Sequence, residues 1–400
     1  MGEYVDVVVV GAGPAGTAAA ITARAHGLRV VCIDKARFPR DKTCGDGLTV
    51  NALRRLERLG VRAADLDAAE PAFVHETVLV SPSRRRVRLP LPAEGAHAAV
   101  VTRRSLDAAL VDVARRSGVD VREGCALEDA KQTEEGVEIS LADGSTITAS
   151  FAIAADGHWS TLRRALEPGA AHDLGEWHAV RQYFDDVDDD RLWVIFERDL
   201  LPGYAWVFPL PGGRANVGYG VLRSDGRTGR ELKQLWPDLL ARPSLRDVLG
   251  PRARPAEAAR AWPIPTRYDP ERLVSGRVLF AGDAAGVVDP MTGEGIAQAI
   301  ETGVLAAEAL ATGADYRASV QRAIGRDLRF ALALQRLLRR PLGARAAIRA
   351  ADLTPWTRRN FARWMWEDYP RAILGTPDRW HRRMFTQPGV SFAASDTLTG

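Results

Sequence analysis

Val5-Asp6-Val7-Val8-Val9-Val10-Gly11-Ala12-Gly13-Pro14-Ala15-Gly16 opens this 400-residue chain and decides how the rest is read. The β-branched run Val5 to Val10 predicts a buried parallel strand covered on both faces. Gly11 permits a tight turn, Gly13 lets backbone approach a pyrophosphate, and Gly16 lets helix and strand pack closely. A helix from Pro14 then turns free N–H groups and its positive dipole end towards phosphates. A second strand, Arg29 to Ile33, ends at Asp34, whose carboxylate can accept hydrogen bonds from a ribose. With Ala12, Ala15 and Lys35 beside these residues, the stretch predicts a dinucleotide site.

Length and composition bound what surrounds it. Four hundred residues predict two or three packed units, and 46% hydrophobic with 26% charged residues places the chain among ordinary globular proteins. Fifty of the 54 basic residues are arginine, the lysines being Lys35, Lys42, Lys131 and Lys233. No interleaved basic and aromatic motif accompanies them, so nucleic acid is not an expected partner. No apolar run spans a bilayer, and the first strand starts too early to leave room for a signal peptide. Cys32, Cys44 and Cys125 are odd in number and lack metal-ligand spacing, which predicts no metal site and a reducing cytoplasm.

Along the chain, Phe38 to Gly47 reads as a functional loop, polar and broken by Pro and Gly. Helices are expected over Thr49–Leu59 and Ser105–Arg116, the second capped by Ser105. Strands are expected over Val119–Arg122, Gly136–Leu141 and Thr146–Ile153, with a hairpin at Asp143-Gly144, and a strand pair over Val74–Leu91. From Trp177 to Trp262 aromatic strands separated by turns predict a largely antiparallel sheet. A buried strand then returns at Arg277–Ala281, followed by a helix over Gly295–Leu310. The expected architecture is α/β (α+β): a Rossmann-like dinucleotide domain with an inserted antiparallel-sheet substrate domain and a helical C-terminal tail. The cofactor domain takes residues 1–73, 97–170 and 263–315, the insert takes 74–96 and 171–262, and the tail takes 316–400.

The choice of FAD comes from Leu279-Phe280-Ala281-Gly282-Asp283. A strand ending in Gly-Asp puts a carboxylate at the carboxyl edge of the sheet, where Asp283 can take hydrogen bonds from ribityl hydroxyls. Pro290-Met291-Thr292-Gly293-Glu294-Gly295-Ile296 then offers backbone N–H groups and a helix N-terminus to the flavin N1/O2 edge. Tyr204, Trp206 and Phe208 recur at period two, so one strand face carries three aromatics, a wall suited to a polyprenyl chain or a flat ring.

The order GxGxxG, Arg103-x-x-Leu106-Asp107, Ala155-Asp156-Gly157, Gly282-Asp283 resembles the flavoprotein fold of the para-hydroxybenzoate hydroxylase type. Within it, Tyr204-Ala205-Trp206-Val207-Phe208-Pro209 with Gly218-Tyr219-Gly220 resembles the YxWxFP…GxG signature of geranylgeranyl reductases. Phe38-Pro39-Arg40-Asp41-Lys42-Thr43-Cys44-Gly45-Asp46-Gly47 is similar to their FPRxKxCGxG segment. The resemblance covers residues 1 to 310. It implies Arg103 near the pyrophosphate or ribityl chain, backbone of Ala126 near adenine, and Asp156 and Gly157 in the cofactor site. It also implies Cys44 and Gly45 near the isoalloxazine, where Cys44 could supply a proton for alkene reduction. Lys42 or Arg40 beside it would bias the thiol towards thiolate.

The implied activity is hydride transfer from reduced FAD to a C=C bond of an isoprenoid lipid or quinone side chain. NAD(P)H or a redox protein would be the reductant. An aromatic monooxygenase is the alternative, and electron transfer to a membrane quinone is an alternative of another class. No lysine stands between Lys42 and Lys131, which argues against a halogenase. The basic, aromatic run Trp356 to Trp366 suits either packing on the body or contact with a bilayer surface. The tail, expected to be helical or irregular, holds four of the ten tryptophans, Trp356, Trp364, Trp366 and Trp380.

Overall fold

The computed structural model describes residues 3–92, 95–167 and 174–377; Trp380 lies outside them. Its first sheet is built on the valine run. Strand Glu3–Val10 pairs in parallel with Thr146–Ala154 on one side and Val30–Asp34 on the other. Val278–Phe280 and Asp120–Glu123 extend the parallel core outwards. Val7, Val8 and Val9 are at most 1% exposed, so this strand is covered on both faces, as a parallel strand requires. Helix Pro14–Ala25 lies against helix Ile296–Thr312. The close return of the first helix over its strand explains Gly16, since a Cβ there would overlap the carbonyl oxygen of Gly11.

A second sheet runs Arg254–Pro255, Trp177–Asp185, Arg214–Leu222, Tyr204–Leu210, Leu192–Ile195, Glu76–Val80, Arg86–Pro90, with Arg260–Ile264 also on Trp177–Asp185. All its pairs are antiparallel except Glu76–Val80 with Leu192–Ile195, where two distant segments of the chain enter the sheet in the same direction. Ala205, Val207 and Val217 on its back are fully buried. Helices Gly229–Ala241 and Pro243–Leu249 cover that back with Leu235, Trp236, Leu239 and Leu245.

Three features depart from the sequence reading. The expected Ser105 cap belongs to Thr102, whose hydroxyl accepts from the Ser105 N–H, so the helix starts at Arg103. Strand Leu127–Gln132 was not expected, because its side chains are mostly solvated and carry no apolar alternation. The two helices on the insert were also missed, although Leu232, Leu235, Trp236 and Leu239 have helical spacing. In the tail, helices Arg326–Leu338, Pro341–Ala351 and Pro355–Met365 fold back over the second sheet, with Ile348, Ala362 and Trp366 in a core beside Leu79, Leu89 and Leu192.

Candidate active site

One cavity of about 880 Å³ joins the first βα turn to the C-terminal helices. Gly11, Gly13, Pro14, Ala15, Asp34, Lys35, Arg103, Asp156 and Gly157 are on its wall. Helix Pro14–Ala25 starts there with no side-chain cap and no acid in its first turn, so its leading N–H groups stay available to an anion. A Cβ built on Gly13 would sit 3.5 Å from Arg40 Nη2 and 3.8 Å from Arg103 Nη2. Two guanidiniums therefore flank the same helix end. Both are held by Asp107, through Arg103 Nε and Nη2 at 2.8 and 2.7 Å and Arg40 Nη1 at 2.7 Å. Burial would raise Asp107, but Arg103 and Arg40 outweigh it and hold the carboxyl below its ordinary value. Helix end, glycines and paired arginines fit the pyrophosphate of FAD.

Four expected residues are not on that wall. Ala12 is fully buried, and its N–H donates to Asp34 Oδ2 at 2.8 Å. Gly16 packs on Gly11. Ala126 turns its carbonyl to the Ala142 N–H, and Cys125 and Leu127 take the wall positions on either side. Pro290 is buried, its carbonyl accepting from Gln335 Nε2 at 2.6 Å. These residues shape the site from behind.

Loop Phe38–Gly47 is tied down by charge. Lys42 Nζ donates to Asp283 Oδ2 at 2.8 Å, joining the loop to the Gly282-Asp283 turn. Burial raises the Asp283 carboxyl, but Lys42 overrides this and holds it low. Asp46 is fully buried and accepts from Tyr183 Oη at 2.6 Å, Asn216 Nδ2 at 2.8 Å and the Arg103 N–H at 3.2 Å. Asn216 Nδ2 also donates to the Cys44 carbonyl, while its Oδ1 accepts from Trp206 Nε1 at 3.0 Å. The expected drift of Cys44 towards thiolate is overturned: burial, then Asp46, push the thiol up. Arg103 and Lys42 oppose this without reversing it, and Arg40 pairs with Asp107.

Tyr204, Trp206 and Phe208 face the cavity together, each ring centroid 6.0 Å from the next. Gly218 explains how Trp206 lies flat on the sheet, since a Cβ at Gly218 would overlap the indole. Leu334, Leu338, Ala347, Ile348, Phe361 and Trp364 of the tail helices also line the cavity. The expected packing of the tail tryptophans is split. Trp366 is buried and donates to Thr77 Oγ1 at 3.0 Å, and Trp364 donates to the Arg371 carbonyl at 3.1 Å. Trp356 is 65% exposed at the cavity edge.

Asp283, Gly293, Gly295 and Ile296 complete the wall, with Cys44 and Gly45. Asp289, absent from the sequence reading, builds that glycine loop: its Oδ1 accepts from the N–H groups of Met291 and Thr292, both at 2.8 Å. An Asp three residues ahead of a Thr-Gly turn is the signal that could have found it. No group of His, Cys, Asp and Glu suited to a metal occurs among the described residues.

Residues 4–322 match the model of the FAD binding domain family. The chain is 35% identical over 328 residues to a menaquinone reductase of Mycolicibacterium smegmatis, covering 78% of each. It is 33% identical over 317 residues to digeranylgeranylglycerophospholipid reductase 1 of Methanopyrus kandleri, covering 76% of this chain and 79% of that one. Among solved structures, a geranylgeranyl bacteriochlorophyll reductase-like protein of Thermoplasma acidophilum superposes with a TM-score of 0.76 at 23% identity. That match covers 95% of this chain and 100% of the other. The halogenase PltM, solved with phloroglucinol and FAD, shares the fold at a TM-score of 0.68 and 16% identity, over 91% of this chain and 80% of that one.

Proposed function

The chain belongs to the geranylgeranyl reductase family of FAD-dependent oxidoreductases, and on that premise we propose that it saturates C=C bonds in the isoprenoid chain of a quinone or lipid. One observation carries this reading: the anion cradle at Gly13 and the aromatic wall of Tyr204, Trp206 and Phe208 belong to a single cavity, closed by an apolar helical wall. A polyprenyl chain needs such a channel of apolar and aromatic surface, with few polar groups to desolvate. The names of the menaquinone and digeranylgeranylglycerophospholipid reductases support the same substrate class.

In this reading Gly11, Gly13, Arg103 and Arg40 hold the FAD pyrophosphate, and Asp34 and Lys35 lie at the adenosine end. Asp156, Gly157, Asp283 and the Gly293–Ile296 backbone hold the remainder. When bound, FAD supplies the hydride. The protein's part is to exclude water, to lay the double bond against the aromatic wall, and to provide a proton. Cys44 and Glu294 are two acids of the wall that burial pushes up, towards their protonated forms.

The test is anaerobic mixing of the photoreduced flavoprotein with menaquinone or with a geranylgeranyl lipid. Flavin reoxidation should accompany a product carrying two more hydrogens per reduced bond. Oxygen-dependent turnover that inserts an oxygen atom into an aromatic compound, with no alkene reduction, would replace this reading by the monooxygenase one.

The same reading extends to where substrate enters. Leu342, Leu353 and Trp356 are 77%, 73% and 65% exposed, at the helices that line the cavity, and Arg339, Arg340, Arg349 and Arg359 are exposed in the same stretch of chain. Exposed apolar side chains together with arginine suit the anionic face of a bilayer, and no helix among the described residues is long and apolar enough to cross one. Peripheral docking there would bring the cavity edge to a lipid-dissolved chain.

A further inference from the structure

Behind the glycine loop, four charged side chains are packed together: Asp289, Glu294, Glu367 and Arg371. Arg371 is 3% exposed, and its Nη1 donates to the carbonyls of Trp364 and Met365, both at 3.1 Å. Its Nε lies 3.5 Å from Asp289 Oδ2 and its Nη2 lies 3.4 Å from Glu367 Oε1. Glu367 also accepts from Thr49 Oγ1 at 3.0 Å and from Gln298 Nε2 at 3.4 Å. Glu294 lines the cavity, with Oε1 accepting from the Ala297 N–H at 3.1 Å. Its Oε2 is shielded from water and has no hydrogen-bond partner among the described residues.

Charge counting then constrains the cluster. Asp289 Oδ1 is engaged by three donors, the Met291 and Thr292 N–H groups and the Thr292 hydroxyl. Three carboxylates share the one guanidinium of Arg371, which pairs with Asp289 and Glu367, while no ion pair reaches Glu294 among the described residues. Three carboxylates against one guanidinium cannot all stay ionised in a buried site, so the cluster must hold a proton. Oε1 of Glu294 is already an acceptor, so a proton on Glu294 resides on Oε2, the oxygen that makes no other bond.

We propose that Glu294 is the proton donor of the reaction. This rests on the alkene-reduction reading above. As the double bond is reduced, its π bond is consumed. One carbon takes the hydride, with two electrons from the reduced cofactor, which is thereby oxidised. The neighbouring carbon takes the Glu294 proton. The O–H bond breaks, its electron pair stays on the carboxylate, and a solvent proton restores the acid after turnover. A proton shielded from bulk water is kept for the substrate until the cavity is filled. Burial and Glu367 both raise the Glu294 carboxyl well above its ordinary value, and burial also raises Glu367. Asp289 pushes both in the same direction, while Arg371 opposes. Tyr204 on the facing sheet donates to the Thr292 carbonyl of the same loop.

The experiment pairs a spectroscopic readout with a kinetic one on the holoprotein. Infrared spectra across a pH series report the C=O stretch of a protonated carboxylic acid, and stopped-flow reports anaerobic flavin reoxidation by the isoprenoid substrate. Wild type should show the band at neutral pH, and its reoxidation should slow as pH rises and the band disappears. Glu294→Gln should remove the band and slow reoxidation by about 100-fold or more, with substrate saturation unchanged; Glu294→Asp should recover part of the rate. Glu367→Gln should keep the band but move its loss to lower pH, because the repelling neighbour is gone. Absence of the band in wild type, or a wild-type rate in Glu294→Gln, overturns the proposal. If Glu294→Gln does not fold, an unshifted band in Glu367→Gln does the same. Failure of any isoprenoid to reoxidise the wild-type flavin would count against the alkene reading alone, since the infrared titration is independent of substrate.

Discussion

Asp46 adopts a left-handed backbone, with φ of 64°, at the end of the cysteine loop. Its carboxyl is pushed up to about 6 by burial, against the pull of Tyr183, Asn216, Arg181 and Arg103. The folded state therefore binds this proton more firmly than the unfolded chain, whose Asp titrates near 3.9. Stability from Asp46 is complete below about pH 4 and falls as pH rises towards about 6. A gap of roughly two pH units corresponds to on the order of 3 kcal/mol. Asp46→Asn cannot titrate, so denaturant midpoints measured across that window should lose this slope relative to wild type. An identical slope in the variant would place the titration elsewhere. Because Asn216 couples Asp46 to the Cys44 carbonyl and to Trp206, the same variant should also disturb the loop that carries the thiol.

Strand Tyr204–Leu210 works as an element because each of its faces meets a different demand. Ala205 and Val207 pack under helices Gly229–Ala241 and Pro243–Leu249, while Tyr204, Trp206 and Phe208 line the cavity. The neighbouring strand supports this with Gly218, over which the Trp206 ring lies. Gly218→Ala would put a Cβ 2.3 Å from both the Trp206 ring and the Val180 carbonyl oxygen, so ring and neighbouring strand must shift, at a cost of about 1–3 kcal/mol or more. It should slow reduction of a long isoprenoid more than a short one, with the flavin spectrum unchanged. Chemical denaturation and rates against chain length are the measurements. Unaltered chain-length dependence would show that Trp206 is only core.

Across the whole molecule, the tail helices give the cavity its outer wall, and their outer surface carries the exposed leucines. Wild-type protein should sediment with anionic vesicles and be released by salt, because the arginine contribution is screened. Leu342 and Leu353 are not on the cavity wall, so Leu342→Asp/Leu353→Asp leaves the channel intact. Each buried leucine is worth about 1.5–3 kcal/mol, so vesicle affinity should drop at least about tenfold while activity on detergent-dispersed substrate persists. Equal sedimentation of variant and wild type would assign these leucines no part in docking.

The sequence by itself determined the cofactor fold. The valine run, the spacing of Gly11, Gly13 and Gly16, and the Gly282-Asp283 turn are local patterns whose geometry follows from backbone sterics and strand burial. The period-two aromatics were legible for the same reason, since a strand's two faces are written in alternation. Tertiary structure alone decided the charges. Lys42 meets Asp283 across 241 positions and Arg181 meets Asp41 across 140, and ion pairing depends on distance in space, on which sequence separation is silent. It also set the surroundings of Cys44, where burial and Asp46 push the thiol up against the pull of Arg103 and Lys42. The tail's place over the cavity was likewise unreadable: its apolar spacing predicts helices, but which surface they cover depends on the face that the second sheet leaves open.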